Sequence, residues 1–202
     1  MVVNNIQFTR IEIRIAKYVF KHYKDRYNAR LLARTLSINH AHANKLCNML
    51  VSKRLFIKEE VGNSVYFSFD YGNEMALKFM QYMLSLEEKD FPKWLAVLLY
   101  NLKKFEPYIE LGIVFGSSIK REDYRDIDVL LAYNKEKSKD VSRVKEEIRK
   151  SQQVENPIRY VDITPKDIIK NKDDKVFYNI ISDSLVFYNP EKYVGIIKKC
   201  HG

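Results

Sequence analysis

Cysteine is scarce in this chain: Cys47 and Cys200 are the two in 202 residues, far apart and without Cys-x-x-Cys or Cys/His partner spacing. That excludes a disulfide framework and a structural zinc site. Nor is there any run approaching ~20 apolar residues, and Met1-Val2-Val3-Asn4-Asn5 leads to Arg10, Glu12 and Arg14 before an apolar leader can form. These absences predict no membrane span, no secretory signal, no membrane partner and a cytoplasmic location. Internal repeats and low-complexity tracts are missing as well. What is present is 46% hydrophobic and 30% charged side chains, enough to bury the core of one or two domains.

The formal charge of +9 is unevenly spread. Residues 1–70 hold 12 basic and 5 acidic side chains, a net of +7, and the other 132 residues hold a net of +2. A basic excess confined to one end points to a module that meets a polyanion.

That end reads as three helices and a hairpin. Ile11, Ile15, Tyr18 and Val19 recur at i, i+4, i+7 and i+8, which predicts a helix from about Arg10 to Asp25. Asn28 suits the N-cap of a short second helix carrying Leu31, Leu32 and Leu36, and Asn39 suits the cap of a third. In the third, Ala43, Leu46, Cys47 and Leu50 form a buried seam, so Cys47 belongs to the core, and His40, His42, Lys45, Asn48 and Ser52 face solvent. Two β-branched and aromatic runs follow, Leu55–Glu60 and Val65–Phe69, around a Gly62-Asn63 turn.

Helix, short helix, turn, helix, hairpin resembles the winged helix-turn-helix family over residues 10–70. The resemblance implies that the third helix enters the major groove of DNA and that the Gly62-Asn63 wing lies near a phosphate backbone. The implied DNA or RNA contacts are Arg30, Arg34, His40, His42, Lys45, Lys53 and Arg54. Residues 71–107 read as helical, with Met75, Phe79, Met83 and Leu86 on one face, a break near Asp90-Phe91-Pro92, then Trp94, Leu95, Leu98, Leu99 and Leu102. This stretch is expected to be a linker or a homodimerisation element.

From Ile109 the pattern turns α/β. The apolar strand Ile109–Phe115 meets Gly116-Ser117-Ser118, a short polar stretch leads to the strand Asp126–Ala132, a charged helix spans Lys135–Ser151, and Ile158–Ile163 is a third strand. Chance alone supplies roughly one Asp-x-Asp pair in a chain of this composition, so Asp126 and Asp128 gain meaning only from their context. In a strand they project from one face about 7 Å apart. Paired carboxylates there need a cation, and hard oxygen ligands suit Mg²⁺ or Mn²⁺. Asp162, in an otherwise apolar strand, is a candidate third carboxylate.

Phe115-Gly116-Ser117, Asp126-Ile127-Asp128-Val129 and Asp162 together resemble the DNA polymerase beta-like nucleotidyltransferases, most closely their minimal prokaryotic members, over about Glu110–Thr164. The spacer Ser118–Arg125 is short for that family. The resemblance implies an α/β (α+β) nucleotidyltransferase domain with a mixed sheet over 108–202, after a winged-helix domain over 1–70 and the helical element 71–107. It also implies an NTP held by Gly116, Ser117, Ser118 and Lys120, with Arg121 the other choice for the basic position. Two Mg²⁺ or Mn²⁺ ions on Asp126 and Asp128 would polarise the α-phosphorus, with Asp162 as a further metal ligand or the base, and an NMP would pass to a hydroxyl of a protein or nucleic acid. That requires Ile158, Tyr160 and Asp162 to face the cleft, and leaves Arg159, on the other face, to reach solvent or pair with an acid. The alternative is a DNA-binding regulator whose transferase fold senses a nucleotide or serves as an interaction scaffold. After Lys166–Lys170 the tail reads as a helix from about Asp173 to Ser182, the strand Ser184–Tyr188 and a helix from Pro190 to Lys199, with Cys200 and His201 frayed.

Overall fold

The computed structural model describes residues 7–86, 92–121 and 123–202; the expected break at Asp90 and Phe91 lies outside them. The chain divides into two compact units, the first ending at Met80 and including His201–Gly202, the second Gln81–Cys200.

In the first unit, α1 (Arg10–Lys21) opens with a capping box: the Glu12 amide donates to Thr9 Oγ1 at 3.2 Å and the Thr9 amide donates to Glu12 Oε2 at 2.7 Å. Its buried face is Ile15, Ala16, Val19 and Phe20; Ile11 and Tyr18 flank that face and are only half buried. Asn28 caps α2 (Ala29–Thr35) through Leu31, and Asn39 caps α3 (His40–Ser52) through Ala41 and His42. The α3 seam is the expected one, Ala43, Leu46, Cys47 and Leu50, all buried. The antiparallel strands β1 (Phe56–Val61) and β2 (Ser64–Phe69) close at Val61↔Ser64. Of the two turn residues, Gly62 alone has a left-handed φ, +58°, which fits the primed turn with glycine at its first central position. A feature the sequence reading missed is Tyr27, which pairs antiparallel with Phe67 and adds a third short backbone segment to the hairpin.

Helix α4 (Glu74–Ser85) buries Ala76, Leu77, Met80 and Leu84. The expected Met75-Phe79-Met83-Leu86 face is not the buried one: Met75 is 73% exposed, and the true seam lies one residue further round.

The second unit holds a four-stranded mixed sheet in the order β5-β4-β3-β6, where β3 is Leu111–Phe115, β4 Ile127–Ala132, β5 Ile158–Ile163 and β6 Ser184–Tyr188. β3 runs antiparallel to both β4 and β6, and β4 runs parallel to β5. Register and strand alternation put Val114, Ile127, Val129, Leu131, Tyr160 and Asp162 on one face. Against it pack α5 (Lys93–Leu102), through Leu95, Leu98, Leu99 and Leu102, then Phe105, and α6 (Ser138–Ser151), through Val141, Val144 and Ile148. Residues 93–105 are therefore core of this unit and not the separate linker that the boundary at 107 implied. Their face of Leu95, Leu98, Leu99 and Leu102 packs on the sheet, while Tyr100 is 68% exposed.

The opposite face carries Ile113, Leu130, Arg159 and Asp128. The unit is completed by α7 (Pro165–Lys170), α8 (Lys175–Ser182) and α9 (Pro190–His201), with Ile168, Phe177, Ile181, Tyr193, Val194 and Ile197 buried. Cys200, expected at a frayed end, is buried in the last turn of α9. No described helix is long and apolar enough to cross a membrane.

Candidate functional site

The glycine turn and the first carboxylate strand meet directly. Phe115 pairs with Asp128 across the β3/β4 ladder, so the residue after Phe115 lies against the Asp128 side chain. Gly116 has φ +84°, and a Cβ built there falls 2.3 Å from Asp128 Oδ2, so no larger residue fits without moving the carboxylate. Ser117–Ile119 form one 3₁₀ turn with Ser118 buried. The amides of Lys120 and Arg121 both donate to Ser117 O, at 3.0 and 2.9 Å, so neither is among the donors expected for phosphate. Lys120 Nζ is paired with Asp183 at 2.8 Å.

Asp126, Asp128 and Arg159 share one face. Arg159 stands beside Asp128 in the β4/β5 register, and its guanidinium contacts Asp126 Oδ2 at 3.0 Å. The expected pairing of Arg159 with an acid is met. Burial raises the Asp128 carboxyl above its ordinary range, Asp126 adds to the rise and Arg159 partly offsets it.

Asp162 is not part of this group. It pairs in register with Leu131, three residues or roughly 10 Å beyond Asp128, and alternation turns it to the other face. There Lys145 of α6 grips both its oxygens at 2.7 and 2.6 Å, and Tyr133 hydrogen-bonds to it. The expectation that three carboxylates share a metal pair is therefore corrected. The cause is strand parity, since an odd offset of three residues between the in-register position and Asp162 reverses its side chain. Among the described residues no three His, Cys, Asp or Glu side chains gather as a metal site. The two-ion arrangement implied for Asp126, Asp128 and Asp162 does not fit, because a guanidinium stands where the third carboxylate was expected.

In the first unit, Arg30 and Arg34 are exposed one turn apart on α2, and His40, His42 and Lys45 are exposed on α3. Arg54 is exposed just after α3 with φ +58°. Lys53 departs from its expected role as a phosphate contact. Its ammonium is bound 2.5 Å from the fully buried Glu12 carboxylate and 2.6 Å from Gln7 O, and lies over the Phe8 ring. Burial pushes the Glu12 carboxyl up, but the Lys53 and Thr9 donors outweigh it and hold the group below the ordinary carboxylate range. The hairpin strand β1 carries exposed Glu59 and Glu60, paired with Arg26 at 3.0 Å and Lys58 at 2.9 Å.

No family model and no curated protein matches the chain. Among solved structures, a mutant of ZitR from Lactococcus lactis is similar at 15% identity, covering 73% of this chain and 80% of ZitR, with a TM-score of 0.35. At that TM-score the likeness defines no shared fold.

Proposed function

We propose that the chain is a nucleic-acid-binding regulator: a winged helix-turn-helix over the first unit, joined to a nucleotidyltransferase-like α/β unit that serves as a sensor or scaffold and does not transfer nucleotides. The observation that carries this reading is the pairing of Arg159 with Asp126 beside Asp128, with Asp162 on the far face of the sheet. A transferase site needs its carboxylates converged on one metal cluster, and here Arg159 lies on the Asp126 and Asp128 face while Asp162 lies on the other. The basic residues of α2 and α3, exposed on a buried apolar scaffold with capped N-termini, support docking of α3 into a groove with Arg30, Arg34, Lys45 and Arg54 on phosphates.

A second reading, nucleotidyl transfer with Mg²⁺ or Mn²⁺, is favoured by one feature: the close seating of Gly116 on Asp128, a turn that lets a triphosphate approach a carboxylate pair. One assay separates the two. The full chain is incubated with each α-labelled NTP and Mg²⁺ or Mn²⁺, with and without duplex DNA, RNA and a protein extract as acceptors. The regulator reading expects no label on protein or nucleic acid; label that appears with the wild type and disappears in Asp128→Asn would overturn it.

A further inference from the structure

We infer that the second unit carries a binding groove for single-stranded nucleic acid on the sheet face opposite Asp128, a site separate from the one proposed for the first unit. Three cavities of 710, 360 and 530 Å³ lie in succession along the edge between α5 and α6. The first two share Trp94, Tyr124 and Glu155 as walls, and the last two share Val154, Glu155 and Asn156, so they adjoin one another along this edge. Its floor draws on Leu185, Ile127, Ile158 and Tyr160. All four lie on the face away from Asp128, and the first cavity is also walled by Ser118–Arg121, which follow the Gly116 turn.

Aromatic surface between cations is what an unpaired strand requires, because every base has a π-face to stack and every linkage a charge to neutralise. Trp94 and Tyr124 stand with ring centroids 4.9 Å apart and are half buried, so each has surface left for a base. Cations sit at both ends of the groove: Lys120 and Arg121 at one, Lys145 and Arg149 at the other. Lys120, Lys145 and Arg149 are partnered by Asp183, Asp162 and Glu146, whereas exposed Arg121 has no ion pair among the described residues. The walls carry Lys93, Lys120, Arg121, Lys145 and Arg149 against Glu146 and Glu155, and with the partners Asp183 and Asp162 counted the cations exceed the acids by one. At the far end the Tyr160 hydroxyl is buried and makes no hydrogen bond among the described residues, a polar group that a bound acceptor would satisfy. Three adjoining cavities in a row extend beyond what one nucleotide fills, which favours a strand over a mononucleotide.

Trp94 is the single tryptophan of the chain, so emission excited selectively at the indole, beyond the absorption of the tyrosines, reports this groove. The full chain is titrated with a fluorescein-labelled twelve-residue oligothymidylate at low salt, following label anisotropy and, with unlabelled strand, Trp94 emission. The groove predicts saturable quenching that tracks the anisotropy and a loss of affinity of about tenfold or more in Arg121→Glu, an exposed change that leaves the core intact. It also predicts no loss in Lys45→Ala/Arg54→Ala, which separates this site from the first unit. Binding without quenching, unchanged affinity in Arg121→Glu, abolition by the Lys45/Arg54 pair, or equal quenching by ATP at the same concentration would each overturn the proposal.

Discussion

A carboxylate with no solvent exposure sits near the start of α1, and its neutralisation by Lys53 ties the end of α3 to that helix. Removing one member of such a pair strands the other charge, so Glu12→Ala is expected to cost about 3 kcal/mol by chemical denaturation. The folded-state pKa of Glu12 lies below its unfolded value, so its contribution is complete above pH ~4.5 and is lost as pH falls through the lowered folded value. Stability curves measured between pH ~5 and ~3 should accordingly be flatter in Glu12→Gln than in the wild type. The carboxylates of the second unit behave differently. Asp128 is raised by burial and by Asp126, so Asp128→Asn is expected to be neutral or stabilising at pH 7. Asp162 is 42% exposed in its pair with Lys145, and Asp162→Asn should cost only about 0.5–1 kcal/mol by thermal melting. A large loss of nucleotide affinity in Asp162→Asn would contradict its placement across the sheet.

At the level of elements, the junction of β3, the 3₁₀ turn and β4 leaves no room for a side chain at Gly116. Gly116→Ala must both adopt a left-handed φ and displace the Asp128 carboxylate, and a cost of about 1–3 kcal/mol by denaturant titration is expected, with Asp128→Asn giving no comparable loss. Most elements were legible in the sequence because caps and periodicities are local: Asn28, Asn39, the α3 seam and the hairpin turn all fall where side-chain chemistry put them. Two kinds of feature were not. The role of Lys53 depends on a partner 41 positions away, and that of Arg159 on the register between β4 and β5, which no local pattern encodes. The α4 face was misjudged because Met75 and Phe79 are as apolar as Leu77 and Met80, and packing alone chose between the two seams. The parity of Asp162 depends on that same register, since Arg159, which pairs with Asp128, and Asp162 differ by an odd offset.

For the whole molecule the account rests on a division of labour between a basic first unit and an α/β unit without a complete carboxylate site. Phosphate contacts release counterions, so binding to duplex DNA must fall with salt in proportion to the number of cations engaged. The most direct test is the affinity of the full chain for random-sequence duplex DNA, by fluorescence anisotropy from 50 to 300 mM salt. With Arg30, Arg34, Lys45 and Arg54 on phosphates, the slope of log K against log salt should be about −3 to −4, and Lys45→Ala/Arg54→Ala should flatten it by about 2. A salt-independent affinity, or a slope unchanged in that double variant, would contradict the account.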